Sequence, residues 1–245
     1  MRFCYRVFVV LSLTISLTAY SADIEFTNPR LLIRERIDLK SKEFWREKTL
    51  NHWEKAGSIV FKDVNLNELP SPFAYSVFSN LGHYWITISG TGQLYEFDPD
   101  QLTFRRIDKT YYRGYNFGSF QFVRKDTLYS FGGLGFWHYN NIETYFNSSA
   151  KEWERVYIPL QGPARILGNF SGYSKSNDKL FVLELPDYFV QKPIDIDHLK
   201  FFTFDFDKKS WKTLGWVPNK KLQEAGMHSL EAIFIQNLFV IPKSS

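Results

Sequence analysis

Between residues 73 and 241 the apolar positions fall in short alternating runs rather than at helical spacing, and the runs recur. Tyr84-Trp85-Ile86-Thr87-Ile88, Leu128-Tyr129-Ser130-Phe131, Leu180-Phe181-Val182-Leu183 and Leu238-Phe239-Val240-Ile241 have the length and character of strands. Aligning Trp85, Leu128, Leu180 and Leu238 gives steps of 43, 52 and 58 residues. A further strand is expected before each, at 73–79, 119–123, 169–174 and 229–235. Downstream, three segments end alike. Tyr95-Glu96-Phe97-Asp98 is followed by Phe104 and Ile107, and Tyr145-Phe146-Asn147 by Trp153 and Val156. Phe204-Asp205-Phe206-Asp207 is followed by Trp211 and Leu214. Each is an aromatic strand, an Asp or Asn suited to start a turn, and an aromatic residue opening the next strand. The aromatic step is seven from Phe97 to Phe104 and from Phe146 to Trp153. Pairing Phe206 with Trp211 gives five, which reads as a shorter turn. Each unit is therefore four short strands, at the period expected of propeller blades.

This pattern resembles the kelch repeat of β-propellers. The match is fullest over 117–158, with the hairpin strand ending in Gly132-Gly133, then Tyr145 and Trp153. Residues 73–108 keep one glycine, Gly90, and have Phe104 for Trp; residues 169–217 keep Trp211 but have Glu184-Leu185 at the glycine pair. The resemblance implies an all-β, kelch-like propeller of four-stranded blades. About four units are visible, the last incomplete. It says little of function, because kelch propellers serve as enzymes and as binding platforms. The diglycine is expected where blades approach and the backbone turns, and Tyr145, Trp153 and Trp211 are expected to fill the gaps between sheets.

The fourth unit has two strands and then the chain stops. Residues 23–72 either supply closing strands, since Ile37-Asp38 and Phe44 repeat the step of seven, or contain a short helix within 40–56. The reading preferred here is the first part of a longer propeller. Residues 73–245 carry the blades.

Residues 1–22 read as an export signal. Arg2 and Arg6 precede an apolar run over 7–19, and Ala19-Tyr20-Ser21 places small residues where a signal peptidase reads. The run is shorter than the roughly 20 residues that span a bilayer, and no later stretch approaches that length. A secreted, periplasmic or cell-surface protein is expected. Cleavage removes Cys4, the only cysteine, and with it thiol catalysis, thiolate metal sites and disulfides. With 24 Phe, 14 Tyr and 7 Trp the chain has ample core material. Its net charge of +4 comes without a basic block, so no nucleic-acid partner is expected.

No nucleophile elbow, P-loop, dinucleotide fingerprint or zinc-protease motif is present, and the five histidines have no metal-ligand spacing. No cofactor and no metal are expected. The informative segments are loops. Residues 109–117 carry Tyr112, Arg113 and Tyr115, and a loop read over 134–141 carries Trp137, His138 and Tyr139. Rings beside an arginine, a histidine and amides suit stacking on a sugar or clamping a peptide. The expectation is a non-catalytic binding or sensing module with a protein or glycan ligand on this loop face. The alternative is a carbohydrate lyase or epimerase using Tyr112, Arg113 or His138 as acid–base groups.

Overall fold

The computed structural model describes residues 23–65, 74–80, 82–111, 116–135, 138–158, 162–184 and 198–218. Among these the protein is all-β, with a single 3-10 turn at Gly168–Phe170 and no α-helix. The first sheet is β1 (Asp23–Asn28), β2 (Ile33–Asp38), β3 (Glu43–Thr49) and β4 (His52–Ser58), in that order. β5 (Val60–Lys62) then leaves it to lie parallel to the outer edge of the second sheet. That sheet is β6 (Tyr75–Asn80), β7 (His83–Ile88), β8 (Leu94–Asp98) and β9 (Thr103–Arg106). The third is β10 (Phe120–Arg124), β11 (Thr127–Gly135), β12 (His138–Asn147) and β13 (Glu152–Arg155). The fourth is β14 (Ser171–Ser174), β15 (Lys179–Glu184), β16 (His198–Asp205) and β17 (Ser210–Pro218). Apart from β5, every pairing is antiparallel between strands consecutive in the chain.

One hairpin recurs in all four sheets, and a carboxylate or amide shapes it. Asp38 Oδ1 accepts the backbone N–H of Lys40 and of Ser41, each at 2.9 Å. Asp98 does the same for Asp100 and Gln101, Asn147 for Ser149 and Ala150, and Asp205 for Asp207 and Lys208. Four residues beyond each, the chain turns left-handed: φ is +59° at Lys42, +52° at Leu102, +58° at Lys151 and +47° at Lys209. The side-chain acceptor replaces backbone hydrogen bonds that the turn cannot make. Across it face Ile37 and Phe44, Phe97 and Phe104, Phe146 and Trp153, Phe204 and Trp211, and all eight are buried. The step is therefore seven in every sheet. The shorter turn expected from Phe206 to Trp211 is corrected to Phe204–Trp211, because Asp205 and not Asp207 caps the turn.

Consecutive sheets pack face to face. Phe26 and Phe44 of the first sheet meet Tyr84 and Phe97 of the second, with ring centroids 4.4 and 4.8 Å apart. Phe78, Trp85 and Leu94 meet Leu128, Phe146 and Trp153 of the third sheet. Phe122 and Phe131 meet Leu180, Val182, Phe202, Phe204 and Trp211 of the fourth. Trp153 also donates its indole N–H to the Gly92 carbonyl at 2.8 Å, tying the third sheet to the second. The first strands β1, β6, β10 and β14 approach one another in chain order.

Three expectations change. Residues 43–58 form strands and not the short helix, since Phe44 and Trp45 alternate between opposite faces of a sheet. The strands of residues 23–58 make a sheet of their own, while the fourth unit at 229–241 lies outside the described residues. Tyr145 is half-buried and donates its hydroxyl to Glu154, so the position filling the seam with the second sheet is its neighbour Phe146. The proposed export signal, residues 1–22, also lies outside the described residues.

Candidate ligand-binding face

In each of the last three sheets the second and fourth strands finish, and the first and third begin, at one topological end. Of the expected ligand residues, His138 and Tyr139 open β12 at this end. Tyr112, Arg113, Tyr115 and Trp137 lie outside the described residues. His138 is exposed and Tyr139 half-buried, and both are strand residues. β11 runs to Gly135 and β12 starts at His138, so the loop read over 134–141 is largely hairpin, with Gly135 paired to His138 and Leu134 to Tyr139.

Glycines make this end. Gly132 adopts φ +69°, and a Cβ there would lie 2.2 Å from the Ile166 carbonyl oxygen. Gly133 adopts φ +113°, donates its N–H to that same oxygen at 2.8 Å, and sits where a Cβ would be 2.8 Å from Asn116 Cα. The pair is thus required both for its left-handed backbone and for the chain segments crossing it. The strand register shifts between Phe131 and Gly133, as a bulge would make it do. Asn140 Nδ2 closes the bulge by donating to the Gly133 carbonyl at 3.0 Å.

Gly90 has an equivalent purpose that the sequence pattern did not disclose. The Phe117 ring lies directly over it, and a Cβ on Gly90 would fall 2.0 Å from that ring. Phe117 is bridged to Leu134 by two backbone hydrogen bonds of 2.8 and 3.1 Å, which fixes the ring, yet the ring stays 43% exposed. Beside it Asn116 is buried with its Oδ1 unpartnered. Asp108 braces the start of the preceding connection. It accepts from Leu94 N and Thr110 N at 2.8 Å and from Arg106, whose Nη2 also donates to the Thr110 carbonyl.

Four aromatic side chains are exposed among the described residues: Tyr111, Phe117, Tyr157 and Trp216. All four belong to this end. Tyr111, Tyr157 and Trp216 lie on or beyond the outer strands of three successive sheets, and Phe117 precedes β10. Sequence reasoning found the segment holding Tyr111 and Phe117 but missed Tyr157 and Trp216. Their signal is an aromatic residue four or five positions after the buried Trp153 and Trp211. No group of three or more His, Cys, Asp or Glu among the described residues is placed to hold a metal ion, and no described helix is long and apolar enough to cross a membrane.

No protein-family model matches the sequence, and no curated protein matches it. Among solved structures it is similar to one titled "Structure of YjhT", at 16% identity and a TM-score of 0.45, over 58% of this chain and half of that one.

Proposed function

We propose that this chain is an exported, non-catalytic binding or sensing module built as a kelch-type propeller, taking a protein or glycan ligand at the ring-bearing end of its sheets. The observation that carries the reading is the gathering of all four exposed aromatic residues among the described ones at a single end. An exposed ring forgoes the gain of burial, so several at one end of the sheets mark a candidate interaction surface. The packing of successive sheets, with their first strands neighbouring in chain order, supports blades about a common axis. On this reading Tyr112, Arg113, Tyr115, Trp137, His138 and Tyr139 join Tyr111 and Phe117 as the contact set. Arg113 lies between tyrosines and suits a planar carboxylate.

The reading is tested by screening immobilised glycans and peptides with the purified protein, then with Tyr111→Ala and Trp137→Ala. Both substitutions should weaken a captured ligand by about ten- to a hundredfold while leaving the melting temperature unchanged. Equal binding by both variants removes the face from the account. Export is checked separately by sequencing the N-terminus of secreted material, where residues 1–21 or 1–22 should be missing.

A further inference from the structure

Glu143 occupies an unusual place for an acid. It sits half-buried on β12 directly opposite Phe131 of β11, so its side chain shares the face of the third sheet that packs on the fourth. The buried core of that seam includes Phe122, Phe131, Ile166, Phe202, Phe204 and Trp211. From the facing sheet, Trp211 brings a buried indole Nε1 with no hydrogen-bond partner of normal geometry. The connection between the two sheets crosses at the same point. Gly162 lies against the Trp211 ring so closely that a Cβ there would be 2.4 Å from it. Asn141 Nδ2 holds the Pro163 carbonyl at 3.1 Å, Ile166 N reaches the Asn140 carbonyl at 3.1 Å, and Val156 N the Glu143 carbonyl at 2.9 Å.

We infer that Glu143 is a proton-operated latch on the seam between the third and fourth sheets, closed while its carboxyl is neutral and loosened when it ionises. A neutral carboxyl tolerates an aromatic seam, whereas a carboxylate there forgoes hydration that one indole N–H replaces poorly. Burial pushes the Glu143 carboxyl up to about 7, against the opposing pull of the Trp211 N–H and of the Arg155 charge. Arg155 on β13 is the charged group acting on it. Glu184 of β15 is occupied in accepting the Ala164 N–H at 2.6 Å, and the connection itself carries Arg165. The folded-state value lies above the unfolded one. The favourable contribution of the neutral form is thus complete below the ordinary glutamate range and is lost as pH rises through about 7. Asn140, which pairs with Ile166, lies on the same strand as Glu143, two residues from His138 and one from Tyr139. The latch does not depend on any ligand reading of that end.

The test compares urea unfolding of the full chain and of Glu143→Gln from pH 5 to pH 8. The ratio of the variant's folding constant to that of the wild type should rise about a hundredfold across this range, since each pKa unit of difference is tenfold. A ratio constant with pH overturns the latch. Should the variant fail to fold, carboxyl 13C resonances of the glutamate-labelled wild type decide. One glutamate titrating near neutrality is expected, and all glutamates titrating in the ordinary range of about 4–5 contradicts it.

Discussion

In the third sheet both faces are aromatic: Phe146 and Trp153 look to the second sheet, Phe122 and Phe131 to the fourth. In the first sheet one face carries Ile24, Phe26, Ile37 and Phe44 into the core, but the other carries charge and indole. There the Arg36 guanidinium lies 4.8 Å over Trp53 and 5.5 Å over Trp45, and Arg34 lies 5.1 Å over Trp53 while pairing with Glu25 and Glu47. The hairpin geometry is common to both sheets. What differs is the covering: an aromatic seam between two sheets in one, a layer of stacked arginine stems and rings in the other. The lesson is that the turn chemistry defines the repeat, and the hydrophobic pattern reports only whether a neighbour is present.

The largest expected effect divides the two sheets. Trp153→Ala removes a fully packed ring and its bond to Gly92, and should cost about 3–5 kcal/mol of unfolding free energy. Trp53→Ala removes cation–π contacts on a half-exposed face and should cost about 1 kcal/mol. Chemical denaturation of the two variants measures the difference. Comparable losses would mean that the outward face of the first sheet is buried as deeply as the third sheet's seams.

A smaller effect concerns the tie between the last two sheets. The Arg124 guanidinium holds Asp178 with two 2.6 Å bonds, lies 4.4 Å from the Phe206 ring centroid, and Tyr173 donates to the same carboxylate at 2.7 Å. The hydrogen bonds from Arg124 hold the Asp178 carboxyl below the usual aspartate range, outweighing burial. A depressed carboxyl contributes stability that is present above the unfolded value and lost as pH falls through the folded one. The stability of the wild type should therefore fall more steeply than that of Asp178→Asn in acid below about pH 4. Because the pair is partly exposed, the loss on substitution should be about 1 kcal/mol at neutral pH. A profile unchanged by the substitution would separate this ion pair from the stability of the seam.

Much of this was legible in the sequence because the hairpin depends on local chemistry. Asp98 and Asn147 announce the turn themselves, and Trp153 lies where the seven-residue step puts it. Phe204-Asp205-Phe206-Asp207 misled because it repeats every two residues, so sequence alone allows two frames and only the accepted N–H groups of Asp207 and Lys208 choose between them. The first sheet was obscured for a different reason. In Ile33–Asp38 and Glu43–Thr49 the alternate positions are arginine, glutamate and tryptophan, so closing strands and a short helix both stayed open until Arg36 is seen over Trp45 and Trp53. At the candidate face, Gly132 and Gly133 were legible as a close approach, but what approaches is Ile166, distant in sequence. Gly90 as a seat for Phe117 was likewise a tertiary fact, as was the half-buried place of Glu143 on the face that packs on the fourth sheet.

The central claim, that residues 23–58 are a sheet of the same series stacked on the second, rests on Phe44 meeting Phe97 at 4.8 Å edge to face. A double-mutant cycle of Phe44→Leu and Phe97→Leu measures that contact directly. A coupling of about 0.5–1.5 kcal/mol is predicted for such an aromatic pair. Additive losses with no coupling would contradict the stacking, and with it the place of the first sheet in the repeat.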